Sequence, residues 1–280
     1  MIQSIAIIGG GLIGGSLALS IKKTYPNCDI HLISRRINHI KADKNSVALT
    51  SISTSIQSLP KNIDIAFICT PIQSILDTIN QITNHLNKNC IITDVASVKA
   101  PIETELKRHN YSQCIIPAHP MAGKESVGFA NATADLFNNA PYFLIPQSST
   151  HYDIFKTFIS KIGCSIIEID SKTHDSLMAS LSHVPYLTAI SLILAAKKQS
   201  SDTTLKKTFG PGFKDCTRVA SSSCTWGLDI CETNKDAIIN HLNSVIDSLQ
   251  TLKDAINKSD TQTLTKLFES AKHTRDQLNS

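Results

Sequence analysis

Gly9–Gly10–Gly11–Leu12–Ile13–Gly14 fits G-x-G-x-x-G, with Gly9, Gly11 and Gly14 in the named positions. The loop follows the apolar run 5–8 and opens a helical pattern over 12–25. Glycines there let the backbone turn tightly and approach a pyrophosphate, whose charge then rests on the helix N-terminus. The expected contacts are Gly9, Gly11, Leu12, Ile13 and Gly14; the competing reading is a plain strand–helix turn. A carboxylate that accepts from the ribose 2′-OH of NAD is expected about 20 residues further on. Ser34, Arg35 and Arg36 stand there instead. A hydroxyl and two guanidiniums suit the 2′-phosphate of NADP, so NADP is the expected cofactor and NAD the lesser choice. The competing reading is a solvated arginine pair. Thr70 and Pro71 close the run 63–69, at a strand end that would face the same crevice, or they form a simple turn.

Two further polar clusters follow strand-like runs. One is DVASVK, from Asp94 to Lys99; the other is HPMAG, from His119 to Gly123. Clusters at adjacent strand ends would converge on one crevice. His119 is the general-base candidate, because a neutral imidazole titrates near neutrality and can take a proton as hydride leaves. Ser97 has two readings: a hydroxyl bridging nicotinamide and base, or an N-cap for a helix over 100–106. Asp94 and Lys99 would pair with each other or with solvent. Later in the chain, SHVPY (182–186) and GFKDCTR (212–218) set polar groups in apolar helical sequence. His183 there reads as a site group or a satisfied core histidine. Arg218 reads as a ligand-gripping group or as half of a salt bridge with Asp215 or Asp229.

The elements that must hold these residues come in two kinds. Short apolar runs at 5–8, 30–33, 63–69, 90–95, 114–117, 142–145 and 166–169 alternate with helical stretches, which predicts parallel βαβ units. Their unbroken apolar character predicts a sheet covered on both faces. From about residue 171 only helical periodicity remains. Its clearest instance is Ile238, Leu242, Val245, Leu249, Leu252 and Ile256, one apolar seam. A helix over 175–198 should kink or break at Pro185, and Gly210–Pro211–Gly212 should end another. The expected division is a dinucleotide-binding α/β domain over 1–170 and an all-α domain over 171–280.

Composition excludes other classes. Hydrophobic residues make up 41% and charged residues 18%, an ordinary globular balance, and the net charge is only +4. No Lys/Arg block and 5% aromatics argue against nucleic acid as a partner. No apolar run approaches the roughly 20 residues that span a bilayer, so no membrane association is expected. The N-terminus lacks the basic flank and cleavage site of a signal peptide. Eight cysteines without a CxxC pair read as buried thiols of a reducing compartment, hence a cytoplasmic protein.

Taken in order, GGGLIGGS, FICTPIQ, DVASVK, HPMAG, SHVP and GFKDCTR resemble the motifs of the prephenate/arogenate dehydrogenase family of tyrosine biosynthesis. The resemblance implies a Rossmann-type domain followed by an all-α domain that dimerises and helps to bind substrate. It implies oxidative decarboxylation of a cyclohexadienol: hydride leaves the hydroxyl-bearing ring carbon, the ring carboxylate leaves as CO2, and the ring becomes aromatic. It makes His119 the catalytic base, Ser97 its neighbour beside nicotinamide, Arg218 a grip on a substrate carboxylate, and His183 a polar group of the substrate pocket. Prephenate-using members commonly read SHLPH, with a second His where this chain has Tyr186. A cationic His suits the keto acid of prephenate and would repel the ammonium of arogenate. With the Ser-Arg-Arg signature and the stretches FICTPIQ and NAPYFLIP, this departure looks like the cyanobacterial-type, NADP-dependent arogenate dehydrogenases.

L-Arogenate, with L-tyrosine as product, is therefore the expected substrate. Prephenate, giving 4-hydroxyphenylpyruvate, or acceptance of both is the alternative. A homodimer through the helical domain is expected, and motifs running from Gly9 to Arg218 suggest a dehydrogenase without a fused mutase or regulatory domain. A β-hydroxyacid-type dehydrogenase is a more distant reading; that chemistry typically relies on a helical-domain Lys, and Lys197 and Lys198 sit at a helix end in no recognisable motif. A non-catalytic NADP-binding protein is the third.

Overall fold

Isoleucine-rich runs form a parallel sheet in the computed structural model, which describes residues 2–109, 111, 113–124, 126 and 128–278. Its strands are β1 Ser4–Ile8, β2 Asp29–Ile33, β3 Ser51–Ser53, β4 Ile65–Ile68, β5 Ile91–Asp94 and β6 Cys114–Ile116. They lie in the order β3-β2-β1-β4-β5-β6, and each pairing is parallel. The helices of this half are α1 Leu12–Thr24, α2 Ile37–Lys41, α3 Ile75–His85, α4 Ala100–Arg108 and α5 Thr150–Lys161.

Alternate residues of each strand enter two different cores. Ile5 and Ile7 of β1 pack in one with Leu17 and Ile21 of α1 and Phe155 and Phe158 of α5. Ala6 and Ile8 pack in the other with Ile75, Ile79 and Ile82 of α3 and Ile102 of α4. Both faces are therefore dry, which is why the strands read as unbroken apolar runs. The direction of winding reverses between β1 and β4, and in such sheets ligands bind at the strand ends beside that point. β3 was not predicted: its three residues, Ser-Ile-Ser, are too short and polar to signal a strand.

A second sheet follows, with β7 Ala118–Pro120, β8 Pro141–Leu144 and β9 Ser165–Glu168 in the order β7-β8-β9. β7 runs antiparallel to β8, and β8 is parallel to β9. This corrects the expectation of parallel units throughout. It also moves His119, expected just past a strand, into the middle of β7. The chain leaves the first sheet at Pro117, which cannot donate a ladder bond, and starts a new ladder one residue later.

Beyond residue 170 the described elements are helical. α6 Ser171–Met178, a π-helical turn Ala179–His183 and α7 Val184–Gln199 form one unbroken run. Pro185 does not break it. The wider π turn just before the proline shifts the hydrogen-bond register where its missing N–H and ring would otherwise disrupt an α-helix. By length and composition alone this run is apolar enough to cross a bilayer. Its His174, Asp175 and His183 are buried and hydrogen-bonded within the protein, while Leu181, Leu192 and Leu194 are exposed.

α8 Asp202–Thr208, α9 Pro211–Thr217 and α10 Cys224–Thr233 follow, with Gly210 capping α9 as its breaker motif implied. α11 Lys235–Asn257 and α12 Thr261–Gln277 complete the chain. Contacts divide it into two compact units, Met1–Lys235 and Asp236–Ser280. In the second unit the predicted seam lies on α11, where Ile238 is buried while Leu249 and Ile256 are exposed. All eight cysteines are free; Cys28, Cys90 and Cys164 are buried as expected, but Cys216 and Cys224 are exposed.

Phe67 of β4 lies against Phe155 and Phe158 at ring-centroid distances of 5.9 and 6.2 Å and is fully buried. Phe67→Ala should lower unfolding free energy by about 3–5 kcal/mol, measured by urea denaturation. A change below about 1 kcal/mol would mean that this core can collapse around the lost ring.

Candidate active site

The crevice is built where three strands end side by side. The Gly9 amide donates to Ile33 O at 2.9 Å and the Cys69 amide to Ile8 O at 2.7 Å, which ties the ends of β1, β2 and β4 together. Gly9 has φ +118°, and a Cβ there would lie 2.4 Å from Cys69 O. A Cβ on Gly14 would lie 2.0 Å from Gly9 O, so the loop can close over the start of α1 only with glycine at both places. At Gly11, by contrast, an added Cβ meets nothing within 4 Å, so bare backbone faces open space. Leu12 and Ile13 begin α1 directly after it.

Ser34 follows β2, and its Oγ lies 3.0 Å from where a Cβ on Gly10 would stand. The same oxygen accepts from the Arg36 amide at 3.2 Å, while the Arg35 and Arg36 side chains are exposed. Thr70 follows β4 with a buried Oγ1 that has no partner among the described residues; Pro71 beside it is exposed. Open backbone at Gly11, an unfilled hydroxyl at Thr70 and a positive rim at Arg35 and Arg36 together fit a phosphorylated dinucleotide.

A second cluster centres on His119. Its Nδ1 lies 3.0 Å from His174 Nε2, and His174 Nδ1 lies 2.7 Å from Asp175 Oδ1. All three side chains are buried. Asp175 Oδ1 also accepts from the Lys99 amide at 2.7 Å, and Oδ2 from the Ala100 amide at 2.8 Å. The carboxylate of α6 thus caps the N-terminus of α4 from outside, as anions favour. Lys99 is fully buried; its Nζ donates to Asp94 and, at 2.8 Å, to Ala118 O, next to His119. Asp94 and Lys99 therefore pair with each other and not with solvent.

Ser97 does not cap α4, because Lys99 occupies the cap position. Its Oγ instead accepts from Trp226 Nε1 at 2.8 Å. The Trp226 ring stands edge-on to His183, with centroids 5.9 Å apart, and to Tyr186, 5.1 Å apart. Tyr186 is buried, and a Cβ on Gly227 would lie 2.6 Å from its hydroxyl, so glycine at 227 makes room for the ring. Asn234 Nδ2 bridges Asp175 O at 2.8 Å and His183 Nδ1 at 3.2 Å. His183 Nε2 is buried and has no partner among the described residues.

Ser97, His119, His183 and Tyr186 thus belong to one connected region. Arg218 lines a different groove of about 500 Å³ with Ile193, Leu205, Phe209 and Phe213, and none of those four site residues lines it. The sequence reading missed His174, Asp175, Trp226 and Asn234. Adjacent His174 and Asp175 were a visible signal: a base and a carboxylate side by side at the start of an otherwise apolar run.

Burial lowers the proton affinity of His119 well below the ordinary imidazole value, and the nearby His174, Lys99 and His183 push the same way. Burial likewise lowers His183, to about 4. Burial pushes the Lys99 ammonium down while Asp94 opposes the shift. His119 and His183 are therefore neutral at pH 7, one able to accept a proton and both unable to repel a cation.

Comparison with known proteins places these features in a family. A model described as the nucleotide-binding domain of prephenate dehydrogenase matches residues 17–168, and one described as its dimerization domain matches residues 170–270. Prephenate dehydrogenase of Bacillus subtilis is 30% identical over 99% of this chain and 76% of its own length. Cyclohexadienyl dehydrogenase of Zymomonas mobilis is 28% identical over 98% and 95%. The crystal structure of Synechocystis arogenate dehydrogenase superposes with a TM-score of 0.80 at 27% identity, covering 99% of this chain and all of that one. An A. aeolicus prephenate dehydrogenase structure has the same fold, with a TM-score of 0.90 at 23% identity over 99% of both chains. The chain belongs to the prephenate dehydrogenase family.

The histidine shifts set a sign for stability against pH. His119, His183 and His31 bind protons less readily folded than unfolded, all chiefly through burial. Their contribution to stability is present above the unfolded value of 6.5 and is lost as pH falls below it. Tm should therefore drop on going from pH 7.5 to pH 5.5, measured by calorimetry. His183→Asn should flatten that drop; an identical slope would mean that His183 titrates alike in both states.

Proposed function

We propose that this member of the prephenate dehydrogenase family oxidises and decarboxylates L-arogenate to L-tyrosine, with NADP as hydride acceptor. The observation that carries the reaction is the buried chain His119–His174–Asp175 beside Ser97 and Trp226. NADP, once bound, accepts the hydride. Gly9, Gly11, Leu12, Ile13, Gly14, Thr70 and Pro71 would hold it, with Ser34, Arg35 and Arg36 on its 2′-phosphate.

His119, neutral and held through Nδ1, takes the ring hydroxyl proton as the hydride departs, so no charge builds on the developing carbonyl. Loss of CO2 then leaves a phenolate, to which His119 can return the same proton. No net proton is gained or lost by the protein. Aromatisation supplies the driving force, so the chain mainly orients groups and excludes water. Ser97, held by the Trp226 N–H, would bridge the base and the nicotinamide. The family resemblance would give Arg218 a substrate carboxylate to grip, but the groove that it lines holds none of Ser97, His119, His183 and Tyr186, so it carries no role in this reading.

Tyr186 supports arogenate over prephenate. It stands where prephenate-using relatives carry a second His, and its ring brings no positive charge toward the substrate ammonium. Prephenate oxidation, or acceptance of both substrates, is the second reading, favoured by the two relatives named for prephenate and cyclohexadienyl substrates. The exposed Leu249 and Ile256 on α11 and Phe268 on α12, together with the dimerization-domain match, support a homodimer through the helical region. Eight free cysteines support a cytoplasmic location.

Steady-state rates with arogenate and prephenate, each with NADP and NAD, test this reading directly. The highest kcat/KM should belong to arogenate with NADP; a preference for NAD or for prephenate would correct the corresponding half. Replacing Arg35 and Arg36 together by Ala should raise KM for NADP roughly tenfold or more and leave that for NAD nearly unchanged. His119→Asn should lower kcat by about 10²-fold or more while NADP still binds, as read by fluorescence titration. An unaltered kcat would remove His119 from the chemistry.

A further inference from the structure

Two buried histidines in this site are wired differently, and the wiring determines which ring nitrogen of each carries hydrogen. For rings that each carry one hydrogen, the heavy atoms give the assignment, starting from groups that have no choice of role. A carboxylate only accepts, so Asp175 Oδ1, 2.7 Å away, receives the hydrogen on His174 Nδ1. A His174 ring that carries this one hydrogen offers a lone pair at Nε2. His119 Nδ1, 3.0 Å from that lone pair, must supply the hydrogen between them. The Nε2 of His119 is left bare, an acceptor.

The second branch starts from the same residue's main chain. Asp175 O can only accept, so the Asn234 side-chain atom 2.8 Å from it is the amide nitrogen. The other hydrogen of that amide points to His183 Nδ1 at 3.2 Å, which must therefore accept. The hydrogen of neutral His183 is then on Nε2, the buried atom with no partner in the described protein. A buried N–H without a partner is costly and points to a ligand oxygen as its complement.

We propose that Asp175 sets His119 and His183 in opposite tautomers, making the first an acceptor and the second a hydrogen-bond donor toward the substrate. Asp175, His174 and Asn234 are positioning residues. The identity of the substrate rests on the reading given above; the tautomers do not. A ring substrate with a hydroxyl to deprotonate and a carboxylate or carbonyl to anchor meets both histidines in their fixed states. The arrangement also explains why a helix that reads as plain core keeps His174, Asp175 and His183 in one turn-by-turn array on α6 and the π turn.

Long-range 1H–15N spectra of the full-length protein, labelled with 15N in its histidine rings, read the tautomers without any substrate. His119→Asn and His183→Asn identify the two signals by their loss. At pH 7.5 His119 should carry hydrogen on Nδ1 and His183 on Nε2. In His174→Leu, which removes the acceptor for His119 Nδ1 and leaves the Asp175 cap on α4 in place, His119 should show the Nε2–H form while His183 is unmoved. Asn234→Ala should disturb His183 alone. Asp175→Asn should disturb His119 and also lower Tm, because its amide cannot accept from both the Lys99 and Ala100 amides.

In steady-state assays His174→Leu should lower kcat by about 10²-fold or more with KM changed less than Asn234→Ala changes it. The proposal is overturned if the wild-type histidines share one tautomer, or if His119 keeps its form in His174→Leu. A wild-type protein inactive on both cyclohexadienyl substrates would overturn the functional reading instead, and the spectra would still decide the tautomers.

Discussion

A carboxylate that is nearly out of reach of water must be met by donors on all sides, and at Asp175 the fold has organised itself around that requirement. Desolvating a carboxylate is expensive unless hydrogen bonds replace the lost water. Here two backbone amides and one imidazole N–H do so. The amides belong to the start of α4, a helix of the nucleotide-binding half. The imidazole leads to His119 in the second sheet. The dinucleotide crevice, the helical segment and the proposed base are therefore registered against one another by a single side chain. The helix dipole of α4 adds to the stabilisation of the charge.

The same economy of buried charge recurs one layer away. Lys99 is fully buried with Asp94, and its ammonium also donates to Ala118 O beside His119. Removing one member of a buried pair leaves an uncompensated charge, typically about 3–5 kcal/mol worse. The segment 94–99 thus holds both the strand end that faces the crevice and the strand that bears His119. Ser97 lies between these fixed points and takes its orientation from Trp226, which also walls His183 and Tyr186. Rigid placement of this kind is what a reaction driven by aromatisation demands of its catalyst.

The elements of the α/β half were legible because each depends on local pattern. Unbroken apolar runs marked β1, β2, β4 and β5, and the glycine spacing marked the crevice. His119 and Ser97 stood out as polar residues after such runs. What escaped depends on partners distant in sequence. His174 meets His119 across 55 residues, and Trp226 meets Ser97 across 129. Within its own helix each looked like one more interfacial side chain. β3 was too short to signal itself, and β7 was hidden because Pro117 ends one ladder immediately before another begins. Pro185 misled for a physical reason: its effect on the helix was absorbed by the preceding π turn, a response that periodicity does not encode.

Opposite tautomers at His119 and His183 bear on why a substitution at Tyr186 can matter at all. Tyr186 touches neither histidine nitrogen; it packs against Trp226, which faces His183. The Asp94–Lys99 pair and Asp175 carry charge in this region, and each is matched by partners. On the proposed reading, a side chain at 186 that can take a proton would bring positive charge toward the substrate's side chain, favouring a keto acid over an amino acid. Tyrosine, whose phenol burial keeps neutral, adds none. Under the proposed function, an aromatic-for-imidazole exchange at residue 186 replaces a side chain that can turn positive by one that stays neutral.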